Sequence, residues 1–223
     1  MGTFFIVATP IGNLKDITLR ALEVLKDADI VLAEDTRVAK KLLQHYKIQK
    51  PVWRADAKEE REIVEKIVKE LTSGKKIAFV SDAGTPNVSD PGAFLTRYVR
   101  EYLPKCPVLA IPGPSALTAF LSVAGVSSDR FTFLGYPPHK KGRQTFFKTL
   151  TDIKTRPVVL YESPHRLQKT FEGIKDVLGG DVPIVVGKEL TKIHEEIWRG
   201  SVESAKEYFS GEKGKGEFVI LIE

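Results

Sequence analysis

The stretch Lys76–Gly92, KIAFVSDAGTPNVSDPG, opens as an apolar strand and then breaks off into aspartate, serine, threonine, proline and glycine. A short apolar run bounded by turn-formers reads as a strand buried on both faces, which is what a parallel sheet requires. Turn chemistry accounts for a change of direction there. It does not by itself call for so many carboxylates and hydroxyls at one strand end. In an open parallel sheet, ligands lie outside the carboxyl ends of the strands, so this loop is a candidate wall of a binding site.

The same rhythm recurs on either side. FFIVAT (Phe4–Thr9) reads as a buried strand. Ile17, Ala21, Leu22, Leu25 and Ala28 share one face of an amphipathic helix, and IVLAE (Ile30–Glu34) is a second strand. Asp35 and Thr36 offer N-caps for a helix reaching about Tyr46. KEEREIVEKIVKEL (Lys58–Leu71) places Ile63, Ile67, Val68 and Leu71 on one side and ends at Gly74, and a helix over Gly92–Tyr102 precedes the strand VLAI (Val108–Ile111). This alternation predicts an α/β chain with a mostly parallel N-terminal sheet covered by helices on both faces. PGPSA (Pro112–Ala116) interrupts the pattern and divides the chain into domains 1–113 and 114–223. Beyond it, FTFLGY, PVVLYE, PIVVGKE, HEEIWRGS and EFVILIE are strand candidates. LTKI joins the third and fourth as a hairpin, which predicts a mixed sheet.

The 223 residues are 42% hydrophobic and carry a net charge of +5, which leaves room for an anionic partner such as RNA and is equally ordinary for a soluble enzyme. Cys106 is the single cysteine, so no internal disulfide framework exists, and a reducing cytoplasm is expected. MGTFFIVATPIGN lacks the charged and long apolar regions of a signal peptide. No apolar run approaches the roughly 20 residues of a membrane span.

The strand-end rule turns the sequence into a set of loops: TPIGN (Thr9–Asn13), EDTR (Glu34–Arg37), the opening stretch, PGPSA, and YESPHR (Tyr161–Arg166). Familiar nucleotide motifs are missing from them. There is no G-x-x-x-x-G-K-[ST] and no G-x-G-x-x-G after the first strand. GPSAL lacks the closing glycine of a hydrolase nucleophile turn. His45, His139, His165 and His194 are scattered, and Asp82 with Asp90 is a poor start for a divalent site, so no metal is expected.

Taken together, TPIGNLKDITLRAL, VLAEDTR, VSDAGTPNVSDPG, IPGPSALTAFLSVAG, GYPPHKKGRQ and YESPHRL closely resemble the small-subunit ribosomal RNA cytidine-2′-O-methyltransferase family. That family is a branch of the tetrapyrrole (corrin/porphyrin) methylases. The resemblance runs from Phe4 to about Ile222, although longer members carry a further C-terminal helical extension. It implies two α/β domains, with S-adenosylmethionine in a cleft between them, and a homodimer. The acceptor side and part of the cofactor site would fall to the first domain. The rest of the cofactor site and the dimer contacts would fall to the second. Carried over by motif, the cofactor site comprises Pro10, Asp82, Gly84, Thr85, Ser115, Ala116 and Tyr161, with backbone near Lys188 and Phe218 as further members. For Asp82 the plainer alternative is an Asx-turn or helix cap.

The reaction implied is in-line attack of a ribose 2′-hydroxyl of 16S ribosomal RNA on the sulfonium methyl, leaving S-adenosylhomocysteine. Placement and desolvation would supply much of the catalysis, helped by a base or a charge near the hydroxyl. Glu34, Asp35, Glu162, His165, Lys188 and Glu189 are the catalytic candidates on loops at that sheet end. Arg37 and Arg166 suit phosphate, since a guanidinium grips two oxygens at once. The plainer alternatives are Asp35 as a helix cap, Arg37 as the partner of a neighbouring carboxylate and His165 as a satisfied first-turn residue. In PPHKKGRQTFFK (Pro137–Lys148), Lys140, Lys141 and Arg143 offer an electrostatic grip on RNA phosphates, or else a solvated loop. Two other classes stay open: the same fold methylating a tetrapyrrole or a modified protein side chain, and a ribosome-assembly factor without catalysis.

Overall fold

The structure, a computed structural model, describes residues 1–55 and 60–223, with side chains in those ranges except at 60–62. Contacts divide the chain into two compact units, Met1–Ser115 and Ala116–Glu223, so the divide falls inside the PGPSA segment.

The first unit runs β1 (Thr3–Val7), α1 (Leu19–Asp27), β2 (Ile30–Ala33), α2 (Thr36–His45), β3 (Val52–Arg54), α3 (Glu60–Thr72), β4 (Lys76–Val80), α4 (Ala93–Tyr102) and β5 (Val108–Ile111). Among the described residues its sheet has the order β3-β2-β4-β1-β5, every pair parallel. Side chains alternate across the pleat, so each strand feeds two cores. Phe4, Leu32, Ile77 and Phe79 pack with Val64, Ile67 and Leu71 of α3 and with Leu95 and Val99 of α4. Val7, Val31, Ala33, Ala78 and Val80 pack on the other side with Ala21 and Leu25 of α1 and with Ala39 and Leu43 of α2. Each fully buried large side chain contributes roughly 1.5–3 kcal/mol, which is why uninterrupted apolar strands can sit in the middle of this sheet.

Register decides where the loops emerge. Arg54 pairs with Ala33, Ala33 with Val80, Val80 with Val7, and Val7 with Ile111, so the strands end in one row. The α2 helix starts where the Asp35 side chain accepts from the Arg37 N–H. The α4 helix starts at Ala93, one residue inside the expected span, with Gly92 as its N-cap. Lys58 and Glu59, included in the expected third helix, lie outside the described residues. The strand β3 was not anticipated, because three residues are too few to show a period.

The second unit runs α5 (Ala116–Val123), β6 (Thr132–Phe133), α6 (Arg143–Lys148), β7 (Val158–Glu162), α7 (Leu167–Leu178), β8 (Pro183–Lys188), β9 (Glu196–Ser201), α8 (Val202–Tyr208) and β10 (Phe218–Ile222). Its sheet, β6-β7-β10-β8-β9, is mixed: β6 and β7 are parallel, and the other neighbours are antiparallel. One face is packed by α6, α7 and α8 through Phe147, Phe171, Ile174, Val202 and Ala205. FTFLGY forms only the two-residue β6, although the Leu134 N–H still donates to the Val159 carbonyl and the Gly135 carbonyl accepts from the Tyr161 N–H, both at 3.0 Å. Glu162 and Lys188 both pair with Phe218, so the ends of β7 and β8 share one edge.

Candidate active site

In the first unit the strand-end loops are knitted into one surface, with the opening stretch as the hub. Thr9 and Gly84 exchange both backbone hydrogen bonds, at 2.8 and 3.0 Å. The Thr9 hydroxyl donates to the Ser81 carbonyl at 3.2 Å, and the Thr85 hydroxyl donates to the Pro114 carbonyl at 3.2 Å. The Asp35 N–H donates to Asp82 Oδ1 at 3.0 Å. Gly84 holds its bridge at φ +83°, a left-handed conformation that favours glycine. Thus Pro10, Asp82, Gly84, Thr85 and Ser115 are all in, or next to, hydrogen-bonded loops at one sheet edge.

A cavity of about 550 Å³ opens there, lined by Glu34, Asp35, Thr36, Arg37, Arg54 and Asp82. Its size suits a small ligand. Three carboxylates and two guanidiniums face it, and that mixture can complement a cation and an anion at once. Arg54, at the end of β3, escaped the sequence reading together with its strand. Only its place beside Ala33 in the register brings it to the EDTR loop.

Asp35 and Arg37 are tied to each other. Arg37 Nε donates to Asp35 Oδ1 at 3.0 Å and Nη2 to Oδ2 at 2.6 Å, while the Arg37 N–H caps onto Oδ1 at 2.8 Å. These hydrogen bonds hold the Asp35 carboxyl far below the usual carboxylate range and push the Arg37 guanidinium up. Asp35 therefore stays ionised and is a weak proton acceptor. The cap and the ion pair, set out above as the plainer alternatives for these two residues, are both present.

Asp90 behaves oppositely. Burial, with the Asp82 charge adding to it, lifts its carboxyl to about 6 although a Ser81 hydrogen bond opposes the rise. The folded chain then holds this proton to higher pH than the unfolded chain, whose value is near 3.8. The associated stability is present below about pH 4 and is lost as the pH climbs through about 6. Asp90→Asn is expected to raise stability at pH 7 by about 1 kcal/mol, after allowing for partial solvent screening, and to have no effect at pH 4. Thermal unfolding at the two pH values checks this; equal shifts at both would remove the titration argument.

In the second unit, Glu162 is 1% exposed. Its Oε1 accepts from the Ser163 N–H at 2.7 Å and pairs with Arg166 Nη2 at 2.9 Å, while Oε2 accepts from the Thr170 hydroxyl at 2.5 Å. Arg143 Nη2 stands 3.7 Å from Oε2. Both arginine side chains are only 14% exposed. Glu162, expected as a catalytic group, is sealed from solvent. Arg143 and Arg166, expected as phosphate contacts, are largely consumed by it. His165, Lys140 and Lys141 are exposed. Tyr161, half-buried, lies edge-on to Phe133, with ring centroids 4.9 Å apart; Ala116, also half-buried, begins α5.

Lys188 and Glu189 line a different cavity of about 600 Å³, with His194, Glu195, Glu196, Glu212, Lys215 and Gly216. Lys188 Nζ donates to the Lys213 carbonyl at 2.8 Å. Glu189 Oε1 accepts from Lys192 Nζ and the Glu217 N–H, both at 2.8 Å. Burial works to raise the Glu189 carboxyl, but these donors prevail and it titrates below its ordinary value. Both side chains are engaged in ordering their own loops.

A sheet whose carboxyl edge carries such loops, joined to a mixed second sheet, defines an architecture with known members. The model of the tetrapyrrole (corrin/porphyrin) methylases matches residues 3–206, and the chain belongs to that family. Among its relatives, the "Ribosomal RNA small subunit methyltransferase I" of Thermotoga maritima is 41% identical over 223 residues, covering 100% of this chain and 98% of the relative. The protein of the same name from Synechocystis sp. is 42% identical over 223 residues, covering 100% and 79%. The fold is also that of a solved diphthine synthase, with a TM-score of 0.75 at 17% identity over 99% of this chain and 90% of the other. A Thermus thermophilus uroporphyrin-III C-methyltransferase complexed with S-adenosylhomocysteine gives 0.69 at 17% identity over 99% and 97%.

Proposed function

We propose that the chain is an S-adenosylmethionine-dependent methyltransferase that 2′-O-methylates the ribose of a cytidine in 16S ribosomal RNA of the small subunit. The observation that carries this reading is the match, over 100% of this chain and 98% of the relative, to the Thermotoga maritima protein named "Ribosomal RNA small subunit methyltransferase I". An enzyme with this substrate works in the cytoplasm, where subunits are assembled, and we read it as a homodimer by resemblance to its family.

The residues present fit the methyl donor. Its sulfonium and ammonium are cationic, and the cavity offers them the carboxylate of Asp82. Bound there, S-adenosylmethionine supplies an electrophilic methyl group. Asp82 and the neighbouring Gly84 and Thr85, with Pro10 and Ser115, form the donor's side of the site in the first unit. Asp82 also fixes the acceptor loop through the Asp35 N–H. Arg37, oriented by Asp35, and Arg54 face the same space and suit RNA phosphate. With Asp35 neutralised as a base by Arg37, Glu34 is the carboxylate assigned to take the 2′-hydroxyl proton. Glu162 and Glu189 are assigned to scaffolding.

The direct test supplies isotope-labelled S-adenosylmethionine and small ribosomal subunits from cells lacking the enzyme. An alkali-resistant, labelled cytidine linkage is expected, and its absence overturns the reading. Asp82→Ala is expected to weaken donor binding by about 10- to 100-fold, the worth of a charge-assisted interaction of about 1.5–3 kcal/mol. Calorimetry should show a larger loss for S-adenosylmethionine than for S-adenosylhomocysteine, which lacks the sulfonium charge. Equal losses would move Asp82 away from the sulfonium.

A further inference from the structure

We infer that Glu162, Arg143 and Arg166 form a buried clamp whose task is to hold the basic loop 136–142 in shape, so that Lys140 and Lys141 are the residues that meet RNA phosphate. The inference rests on the RNA reading above and adds to it the device that makes the loop competent.

The geometry is specific. Arg166 divides its donors three ways: Nη2 to Glu162 at 2.9 Å, Nε to the Ser163 hydroxyl at 3.0 Å and Nη1 to the Pro137 carbonyl at 3.0 Å. Arg143 does the same from the far end of the loop. Its Nη2 donates to the Thr170 hydroxyl at 2.7 Å and its Nη1 to the Pro138 carbonyl at 3.1 Å. Thr170, itself fully buried, closes the ring by donating to Glu162 Oε2 at 2.5 Å. One sealed carboxylate therefore anchors two guanidiniums, and each guanidinium clamps the carbonyl of a proline.

A buried ion cluster is a poor choice for stability alone, because desolvating the charges offsets most of their attraction. It does specify one arrangement. Here that arrangement concerns Pro137–Gly142, whose prolines have no N–H of their own to anchor them. The tip of the loop leaves Lys140 and Lys141 exposed. Holding a loop in its binding form before RNA arrives spares the ordering that binding would otherwise require. Glu162, Arg143 and Arg166 thus act through the two lysines, as positioning residues.

Affinity for purified small-subunit RNA, measured by fluorescence anisotropy across a salt series, tests this with a mutant cycle. Lys140→Ala/Lys141→Ala should reduce the slope of log affinity against log salt by about 1.5–2. Arg166→Lys keeps a charge but loses the fork. It should weaken RNA binding by about 10-fold, the lower end of what one hydrogen bond to a charged group is worth, while calorimetric affinity for S-adenosylmethionine stays within twofold. In the Lys140→Ala/Lys141→Ala background, Arg166→Lys should have almost no further effect. Glu162→Gln should reproduce this pattern more strongly; because it strands two guanidiniums and threatens the fold, Arg166→Lys carries the decision. Equal losses from Arg166→Lys in both backgrounds, or unchanged RNA affinity in the folded variant, would overturn the clamp. So would an unchanged salt slope in the lysine variant while the wild-type chain still methylates subunits. Failure of the wild-type chain to methylate subunits sinks the RNA reading itself.

Discussion

Glu34→Gln is expected to lower kcat by about 100-fold or more, the usual worth of a general base, while affinity for RNA and for S-adenosylmethionine changes little. Asp35→Asn should behave differently, because that carboxylate is held ionised by Arg37 and cannot readily take a proton. Losing the charge loosens the Arg37 guanidinium while the asparagine Oδ1 can still cap the helix, so the effect should fall on KM for RNA, by about 10-fold, the worth of a charge-assisted hydrogen bond. Single-turnover methylation with saturating donor separates the two. If Asp35→Asn loses as much kcat as Glu34→Gln, the assignment of the base is wrong. The two carboxylates are adjacent in sequence and line one cavity. Arg37 is bonded to Asp35, which sets that carboxylate apart.

The largest stability effect should come from the far end of the opening stretch. Gly92 sits at φ +117°, and a Cβ there would lie 2.1 Å from Phe79 Cε1 and 2.4 Å from Asn87 Oδ1. Phe79 is a core residue of the first unit, 1% exposed, and cannot yield without opening the packing against α4. Gly92→Ala should therefore cost about 3–5 kcal/mol, combining overpacking with backbone strain. For a chain of this size that is a fall of roughly 10 °C in the melting temperature of the transition that includes the first unit. Gly74→Ala is the control. It shares a left-handed φ of +96° but has nothing within 4 Å of the added methyl, so only about 1 kcal/mol of strain is expected. Equal losses at the two glycines would discard the steric argument.

Much of the fold was legible because burial leaves a periodic trace. Strands buried on both faces are continuously apolar, and helices packed on one side repeat every three to four residues. EDTR, VSDAGTP and PGPSA could be placed at strand ends because each follows such a run. The strand Val52–Arg54 left no trace, being three residues long and only partly buried. Arg54 was lost with it.

The charged residues of the second unit show the deeper limit. Glu162, Arg143 and Arg166 read as a base and two phosphate ligands, since charge in a strand-end loop is normally solvated. No local pattern says that one carboxylate is sealed against two arginines, one of them 19 residues upstream and the other in the next turn. By itself the sequence determined the α/β rhythm and the polar strand ends, which follow from local spacing of apolar and turn-forming residues, and its loop motifs carried the family resemblance. Tertiary structure decided which loops share a cavity, which carboxylate is tied to an arginine, and which arginines are already spoken for. Those outcomes depend on desolvation and on partners brought together by strand register, and neither exists until the chain is folded.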